Sequence, residues 1–356
     1  MTDSKKNDDM TQSDNRKLGD AAVQVSDQAL ALIENSLVWD NLLPWIPGYN
    51  IDGIDRILPR FRNKGFNFVS LTLAGGAGVS SSIDSCMRRI ARVRREIQER
   101  ADWMVLATSV QAIRQARAEG KLAVNFNFQE TLPFDDSLEM IEVYYQLGIR
   151  QALLAYNQKN RVGDGCAERT DAGLSRFGVE VVKTMNRVGM LVDGSHSGYR
   201  TTMDAMEVCE GPFIFSHANP AALHPHYRNI QDDQIKSCAA SGGVIGINGV
   251  GGFLGDQHAS SQSLFRCIDY VGELVGFEHV GLGLDYVEDI EGAYRIRQSA
   301  SLAWPGDPGK VVKYQFAGPE QLSELVQLML DHGYPEVAIR GILGENWAGL
   351  CERVWK

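Results

Sequence analysis

Two histidines, His196 and His217, occupy matching places in the chain, because each follows a short apolar run. The runs cover 190–195 and 213–216, and one helix-length segment lies between them. If the runs are parallel strands joined by a helix, their ends lie at the same edge of a sheet. Two imidazoles at neighbouring strand ends are suitable ligands for a catalytic metal. The alternative interpretation is a pair of hydrogen-bonded histidines inside a barrel mouth.

A polar side chain follows nearly every apolar run that we interpret as a strand. In chain order these polar residues are Asp40, Gln129, Tyr156, His196, His217, Asn248 and Asp285. The second run is the exception, since it ends at Ala74-Gly75-Gly76. Polar groups at the carboxyl ends of barrel strands are typical of an active site, so we predict one there.

The order of β-rich and helical segments predicts the fold. The β-rich runs are 36–39, 66–73, 122–128, 151–155, 190–193, 213–215, 243–247 and 279–284. Helical stretches such as 138–147 and 177–186 lie between them, and Gly148, Gly189 and Gly276 fall at helix ends. Eight strands with helical crossovers and no glycine-rich phosphate loop predict an α/β fold, a (β/α)₈ TIM barrel. We expect a long loop over the mouth at 286–315 and two closing helices after residue 318.

Composition indicates a globular protein with an acidic balance. The 356 residues are 44% hydrophobic, and 35 Lys and Arg against 45 Asp and Glu give a formal net charge of −10. We predict a disordered tail at 1–20 and a single barrel domain over 21–356. The basic stretch 87–95 has its arginines at roughly helical spacing, so we interpret it as a solvated helix face. The charge balance therefore argues against a nucleic-acid partner.

The cysteines and the terminus predict the compartment. Six scattered cysteines without a Cys-x-x-Cys pair favour a reducing environment over a disulfide framework. The first ten residues are too polar for a signal peptide, and no apolar run approaches the length of a membrane span. We therefore predict a cytoplasmic protein without a membrane partner.

Several motifs together resemble the membrane (renal-type) dipeptidase family of metallopeptidases. They are Gly-Asp-Gly-Cys-Ala-Glu-Arg-Thr-Asp at 163–171, Ser-His-Ala-Asn-Pro at 216–220, His-Tyr-Arg-Asn at 226–229 and Gly-Gly-Val-Ile-Gly-Ile-Asn at 242–248. The resemblance runs from about residue 36 to the end of the chain. It implies an amidohydrolase-type barrel, a homodimer, and a two-zinc centre that hydrolyses dipeptides and small related amides.

The resemblance assigns roles to four residues. His196 and His217 fall on the histidines that hold the family's second zinc. Arg228 falls on the arginine that binds the substrate carboxylate, a task that suits a guanidinium fork. Asp285 falls on the aspartate that handles the proton of the attacking water.

The first-zinc half of the family's site is altered in this chain. The family's first strand ends in His-x-Asp, whereas the same frame here reads Asp40-Asn41-Leu42, and leucine cannot bind a cation. The bridging glutamate falls on Gln129, with Glu130 one position away. Strand alternation puts Gln129 on the polar face of its run, so we expect it in the mouth and Glu130 elsewhere.

These changes lead to a prediction of one metal at most, Zn²⁺ by family resemblance. Its expected ligands are His196 and His217, with Asp40 or Asp285 as the third, because two close cations repel without a shared carboxylate. Asp285 is then the general base and Tyr156, on the family's oxyanion-side histidine, a hydrogen-bond donor.

The predicted ligand is a small dipeptide or amide that carries a carboxylate. Arg228, Asn248 and Gln129 are its expected contacts. Two alternatives remain open: a metal-free lyase or isomerase that uses Asp40 and Asp285 as acid and base, and a binding protein without turnover. The sequence assigns no role to Cys166 and Glu168.

Overall fold

Parallel strands close into a barrel in the computed structural model, which describes residues 23–76, 78–300, 303–305 and 313–356. The strands are β1 (Trp39–Pro44), β2 (Phe68–Ala74), β3 (Met104–Leu106), β4 (Leu122–Phe128), β5 (Ile149–Leu153), β6 (Leu191–Asp193), β7 (Phe213–Ile214), β8 (Ile245–Ile247) and β9 (Val280–Leu282). Their order is β7-β6-β5-β4-β2-β1-β9-β8. A parallel bridge from Phe215 to Ile245 joins β7 to β8 and completes the ring. The predicted eight-stranded barrel is therefore confirmed.

Helices follow the strands and cover the barrel. They are α1 (Asp27–Glu34), α2 (Ile54–Asn63), α3 (Ile83–Gln98), α4 (Val110–Ala118), α5 (Glu139–Gln146), α6 (Arg176–Val188), α7 (Tyr199–Val208), α8 (Asp232–Ala240), α9 (Gly251–Leu254), α10 (Ser261–Val275), α11 (Ile290–Ser299), α12 (Leu322–Asp331), α13 (Glu336–Arg340) and α14 (Asn346–Val354). Gly189 ends α6 with a φ of 87°, a conformation that glycine adopts without a Cβ clash. In the described residues no helix has the length and apolarity that crossing a bilayer requires.

Aromatic side chains fill the end of the barrel opposite the polar residues. Trp347 of α14 is fully buried and donates a hydrogen bond from Nε1 to the carbonyl of Leu282 at 3.2 Å. Trp39 packs on Phe68 with ring centroids 4.0 Å apart. Because this end is closed by large apolar groups, a ligand reaches the interior from the carboxyl ends of the strands.

The structure corrects several boundaries. The first strand is β1, six residues long, so Asp40 lies inside it and not just past its end. A short strand, β3, pairs with β4 outside the ring and was not predicted. Three helices, α12 to α14, follow residue 318 where two were predicted.

The predicted loop at 286–315 contains a helix, α11. Asp289 caps it by accepting a hydrogen bond from the backbone N–H of Gly292 at 2.8 Å. Its buried residues are only Gly292 and Ala293, so the sequence shows no apolar stripe. Residues 301–302 and 306–312 of the predicted loop, and the predicted tail at 1–20, lie outside the described residues. The single-domain assignment stays a prediction.

Candidate active site at the barrel mouth

A left-handed backbone and an amide hold His196 after β6. His196 has a φ of 66°, and its Nδ1 lies 2.6 Å from Oδ1 of Asn157. Asn157 donates from Nδ2 to the carbonyl of Ala303 at 2.8 Å, which orients its amide so that Oδ1 faces the imidazole. Nδ1 of His196 is therefore the donor, and the lone pair of His196 is on Nε2. Burial lowers the pKa of His196 well below its usual value, so the ring is neutral.

His217 lies beside His196, with ring centroids 5.0 Å apart. Its Nδ1 is 2.7 Å from Oγ of Ser216, and its backbone N–H donates to Oγ of Ser195 at 3.1 Å. Nε2 of His217 is buried and has no hydrogen-bond partner among the described residues. Burial also lowers the pKa of His217 well below its usual value. The two imidazoles thus lie close together, as predicted, and their lowered pKa values keep both neutral.

The third metal ligand is missing from this cluster. Within residues 23–76, 78–300, 303–305 and 313–356, no three His, Cys, Asp or Glu side chains are grouped as a metal site requires. Oδ1 of Asp40 accepts hydrogen bonds from the backbone N–H of Leu284 at 2.8 Å and of Leu42 at 3.5 Å. Among the described residues, neither predicted third ligand, Asp40 or Asp285, is therefore grouped with His196 and His217 as a metal site. These residues fit neither a two-zinc centre nor a three-ligand site for one ion.

Two nearby carboxyl groups, Asp40 inside β1 and Asp285 after β9, have raised pKa values. Burial raises the pKa of Asp40 to about 7, and the nearby charge of Asp285 adds to the rise. Burial also raises the pKa of Asp285 to about 6, against the charges of Arg228 and Arg297 and a hydrogen bond from Asn248. Oδ2 of Asp40 is buried without a partner among the described residues. Near neutral pH the pair can hold one proton between them, which suits acid–base chemistry.

Asp285 is fixed by its own backbone and by Asn248. It has a φ of 55° and donates its N–H to the carbonyl of Leu42 at 3.1 Å. Nδ2 of Asn248 donates to Oδ2 of Asp285 at 3.2 Å, and Oδ1 of Asn248 accepts from the N–H of Val250 at 2.7 Å. Asn248, predicted to contact substrate, thus contacts the carboxylate of Asp285 directly.

Arg228 brings a buried positive charge to the same mouth. Only 2% of the residue is exposed, and its Nη2 donates to the carbonyl of His217 at 2.9 Å. Its Nε has no hydrogen-bond partner among the described residues. A buried guanidinium with an unused donor is costly unless a ligand supplies an acceptor. Arg228 therefore has the environment of an anion-binding residue.

Gln129 and Glu130 point in different directions, as strand alternation predicts. Nε2 of Gln129 donates to Oγ1 of Thr72 at 3.3 Å, and the side chain lines a cavity with Asp285. Glu130 instead accepts a hydrogen bond from Ser81, and burial raises its pKa to about 7.

The basic stretch 87–95 contains one exception to the predicted solvated face. Arg89 is buried and donates hydrogen bonds to the carbonyls of Leu73 and Ser80. It turns inward because the carbonyl groups at the end of β2 and in the loop that follows it need donors.

Tyr156 stacks on His196 with ring centroids 4.0 Å apart. Burial raises its pKa well above the usual value, so the hydroxyl keeps its proton. Tyr156 lines a cavity of about 20 Å³ with Asp285 and Gln129, while His196 lines a second one of about 210 Å³ with Arg228. The stacked pair thus contributes one residue to the lining of each of these cavities.

Arg297, which α11 carries into the mouth, was not among the predicted site residues. It lines the smaller cavity with Asp285 and Tyr156. Four aromatic rings lie within 6.0 Å of its guanidinium carbon: Trp304 at 4.8 Å, Tyr314 at 5.2 Å, Phe316 at 5.9 Å and Phe253 at 6.0 Å. In the sequence, Arg297 stands among aromatic residues at irregular spacing. No periodic pattern therefore indicated that these residues lie together.

Cys166 and Glu168 lie at the larger cavity. Sγ of Cys166 donates to Oδ1 of Asn157 at 3.2 Å, the same oxygen that binds His196. Burial raises the pKa of Cys166 to about 12, so it is a thiol and not a nucleophilic thiolate. Oε1 of Glu168 accepts from the N–H of Lys159 at 2.9 Å. All six cysteines are unpaired, in agreement with the sequence.

Comparison with known proteins gives relatives along most of the chain. An uncharacterized dipeptidase of Schizosaccharomyces pombe is 36% identical over 182 residues, which are 49% of this chain and 44% of that protein. The dipeptidase aclJ of Aspergillus oryzae is 30% identical over 266 residues, 73% of this chain and 58% of that protein. The chain thus spans less than two thirds of the length of these two curated relatives.

Solved structures share the fold, and a family model covers the barrel. An amidohydrolase from Pseudomonas aeruginosa superposes with a TM-score of 0.80 at 28% identity, over 92% of this chain and 99% of that one. A metallo peptidase from Rhodobacter sphaeroides, liganded with a phosphinate mimic of L-Ala-D-Ala, gives a TM-score of 0.75 at 19% identity, over 90% and 100%. Residues 53–298 match the model described as membrane dipeptidase, peptidase family M19. The chain therefore belongs to the membrane dipeptidase family.

Proposed function

We propose that this protein hydrolyses a small amide that carries a carboxylate, such as a dipeptide or an N-acyl amino acid. The observation that carries the proposal is Arg228, a buried guanidinium with a free Nε, beside Asp285 in the mouth of a dipeptidase-family barrel. The dipeptide mimic bound by the Rhodobacter sphaeroides protein supports a ligand of this size. A homodimer and a cytoplasmic location remain predictions.

Arg228 binds the substrate carboxylate in the proposed complex. Its Nε has no acceptor among the described residues, and its Nη2 is held by the carbonyl of His217. A carboxylate that accepts from Nε and a second guanidinium N–H forms a charge-assisted pair in a site shielded from water. This contact orients the amide in the mouth.

Asp285 and Asp40 supply the proton transfers. Asp285 has the lower pKa, about 6, so it is the base that accepts a proton from the attacking water. Asp40, with a pKa of about 7, keeps its proton longer and is the acid toward the leaving amine. The protonated hydroxyl of Tyr156 donates a hydrogen bond to the amide oxygen as negative charge develops there.

The family's metal is not part of this mechanism. A bound zinc ion activates water and polarises a carbonyl in metallopeptidases. Here Leu42 and Gln129 replace two of the family's ligand types, and the histidine pair lacks a third ligand among the described residues. We therefore propose that the acid–base groups of the chain act without a stably bound ion.

The test combines a substrate panel with two matched variants. Purified protein is assayed on dipeptides and N-acetyl amino acids of both chiralities, with product amine measured by chromatography. We expect turnover in the wild type, its loss in Asp285→Asn, and near wild-type rates in Asp289→Asn, an acid in the loop after β9 that caps α11. Turnover that survives in Asp285→Asn, or no turnover on the whole panel, would contradict the proposal.

A metal-independent lyase or isomerase is the second candidate. The paired, raised pKa values of Asp40 and Asp285 favour it, because an acid and a base at one site also move protons between carbons. Exchange of substrate C–H protons for deuterium in D₂O, without release of an amine, distinguishes this function from hydrolysis. Tight ligand binding with neither reaction indicates a binding protein.

A further inference from the structure

We infer that the substrate carries two carboxylates, one bound by Arg228 and the other by Arg297, so that Arg297 determines specificity. This inference rests on the proposed function, because it names the substrate class of the same site. It predicts a preference for amides of acidic amino acids, such as N-acylated glutamate, over their uncharged counterparts.

The two guanidinium groups both lie near one aromatic ring, that of Phe253. The guanidinium carbon of Arg228 lies 5.6 Å from the ring centroid of Phe253, and that of Arg297 lies 6.0 Å from the same centroid. The two cations are therefore no more than about 12 Å apart. A carboxylate carbon in a forked contact lies about 4 Å from its guanidinium carbon, so two carboxylate carbons held between the arginines are at most about 4 Å apart, a gap that two or three carbons span.

The two arginines approach the mouth from different elements and line different cavities. Arg228 lies between β7 and α8 and lines the cavity of about 210 Å³. Arg297 lies on α11 and lines the cavity of about 20 Å³, which has room for a water or a carboxylate oxygen. Tyr156 and Asp285 line the smaller cavity as well. An anionic group bound at Arg297 therefore lies beside Tyr156 and Asp285, the proposed hydrogen-bond donor and base.

The aromatic rings around Arg297 hold its charge without neutralising it. Cation–π contacts orient a guanidinium over ring faces and leave its N–H groups able to bind an anion. The charges of Arg297 and Arg228 both affect the pKa values of Asp285, Tyr156 and His196, so both arginines are close to the same three side chains. The site therefore presents two cations to one ligand.

Acidic side chains also line the two cavities in the described residues. Asp285 lines the smaller cavity with Arg297, and Glu168 and Asp171 line the larger cavity with Arg228. Both carboxylate oxygens of Asp171 accept from the backbone N–H of Arg200, at 3.1 and 3.0 Å, and Glu168 accepts from a backbone N–H as described above. Glu168 and Asp171 are thus bound to backbone N–H groups and not to the two guanidinium groups.

The test compares two ligands that differ in charge and little in shape. N-acetylglutamate and N-acetylglutamine, each as both enantiomers, are titrated into the full-length protein at pH 7.5 by calorimetry, and amine release is followed in the same samples. For the wild type we expect at least tenfold tighter binding of N-acetylglutamate. In Arg297→Gln that ratio should fall to about one, and Arg297→Lys should restore part of it.

Arg295→Gln is the matched control, since Arg295 lies on the same helix with a side chain that is 69% exposed. Its ratio should equal that of the wild type. An unchanged ratio in a folded Arg297→Gln protein would overturn the inference, as would equal binding of the two ligands or no binding of either by the wild type. If the protein prefers N-acetylglutamate but releases no amine, the proposed hydrolysis is contradicted and this inference stands. If it releases amine but binds both ligands equally, this inference is contradicted and the proposed hydrolysis stands.

Discussion

Removal of the amide of Asn248 should move the acid limb of the pH–rate profile. Nδ2 of Asn248 donates to Oδ2 of Asp285 at 3.2 Å, which stabilises the ionised carboxylate and lowers its pKa. A hydrogen bond of this kind contributes about 0.5–1.5 kcal/mol. Since 1.36 kcal/mol corresponds to one pKa unit, Asn248→Ala should raise the pKa of Asp285 by about 0.5 to 1.

The expected profile of kcat/KM follows from the two carboxyl groups. In the wild type it rises as Asp285 ionises near pH 6 and falls as Asp40 ionises near pH 7, which gives a narrow optimum. In Asn248→Ala the rise shifts toward pH 7, because the protonated form of Asp285 is favoured. The fraction of enzyme with Asp285 ionised and Asp40 protonated is then smaller, so the maximum of kcat/KM is lower as well.

The assay is kcat/KM between pH 4.5 and 9 on the best substrate of the panel. A ¹³C-carboxyl aspartate NMR titration gives the same pKa without turnover, and Asp285→Asn assigns the signal. Asn346→Ala is the control, because Nδ2 of Asn346 donates to the carbonyls of Phe277 and Val280 at the opposite end of the barrel. An acid limb that stays in place or moves to lower pH in Asn248→Ala refutes the reasoning.

Three further outcomes are expected. Protein purified without chelator should contain well below one zinc or other transition-metal ion per chain by mass spectrometry, and EDTA should leave its Tm unchanged. One ion per chain would contradict the proposal that the site acts without a bound metal. Arg228→Met should weaken binding of N-acetylglutamate about tenfold to hundredfold in calorimetry, because a forked charge-assisted contact is lost, and unaltered affinity speaks against carboxylate binding there. Gly243→Ala should lower the free energy of unfolding in urea by about 2 kcal/mol or more, because an added Cβ overlaps the carbonyl oxygen of Phe213; Gly211→Ala, with open space around it, should change stability little.

Much of the barrel follows from sequence because its signals are local. Each strand of the ring is an apolar run between helical stretches, and alternation along β4 correctly separates Gln129 from Glu130. The end of the first strand was misplaced because β1 is buried along its whole length, so polarity does not mark where it stops. A three-residue strand such as β3 has too few residues for any periodicity.

The sequence predicted which histidines lie in the mouth. It did not predict the second arginine there, or whether a third metal ligand reaches the histidines. His196, His217 and Asp285 stand at strand ends, where topology alone brings them together. Arg297 reaches the mouth through α11, whose small buried residues Gly292 and Ala293 give no apolar pattern. Whether Asp40 reaches the histidines depends on the direction of its side chain within β1, which the sequence does not determine. In the structure its Oδ1 accepts hydrogen bonds from the backbone N–H groups of Leu42 and Leu284.

The positive φ values of His196 and Asp285 bear on how this protein would respond to selection for thermal tolerance alone. A left-handed backbone costs a residue with a Cβ about 1–2 kcal/mol, and glycine avoids that cost while giving back about 0.5–1 kcal/mol through a freer unfolded chain. Glycine at 285 should therefore leave the heat resistance of the fold little changed while removing the proposed base. At 196 the same gain is outweighed, because glycine also loses the stacking on Tyr156 and the hydrogen bond to Asn157. Directed evolution under heat, with no demand for ligand, should therefore drift toward glycine at 285 and keep histidine at 196.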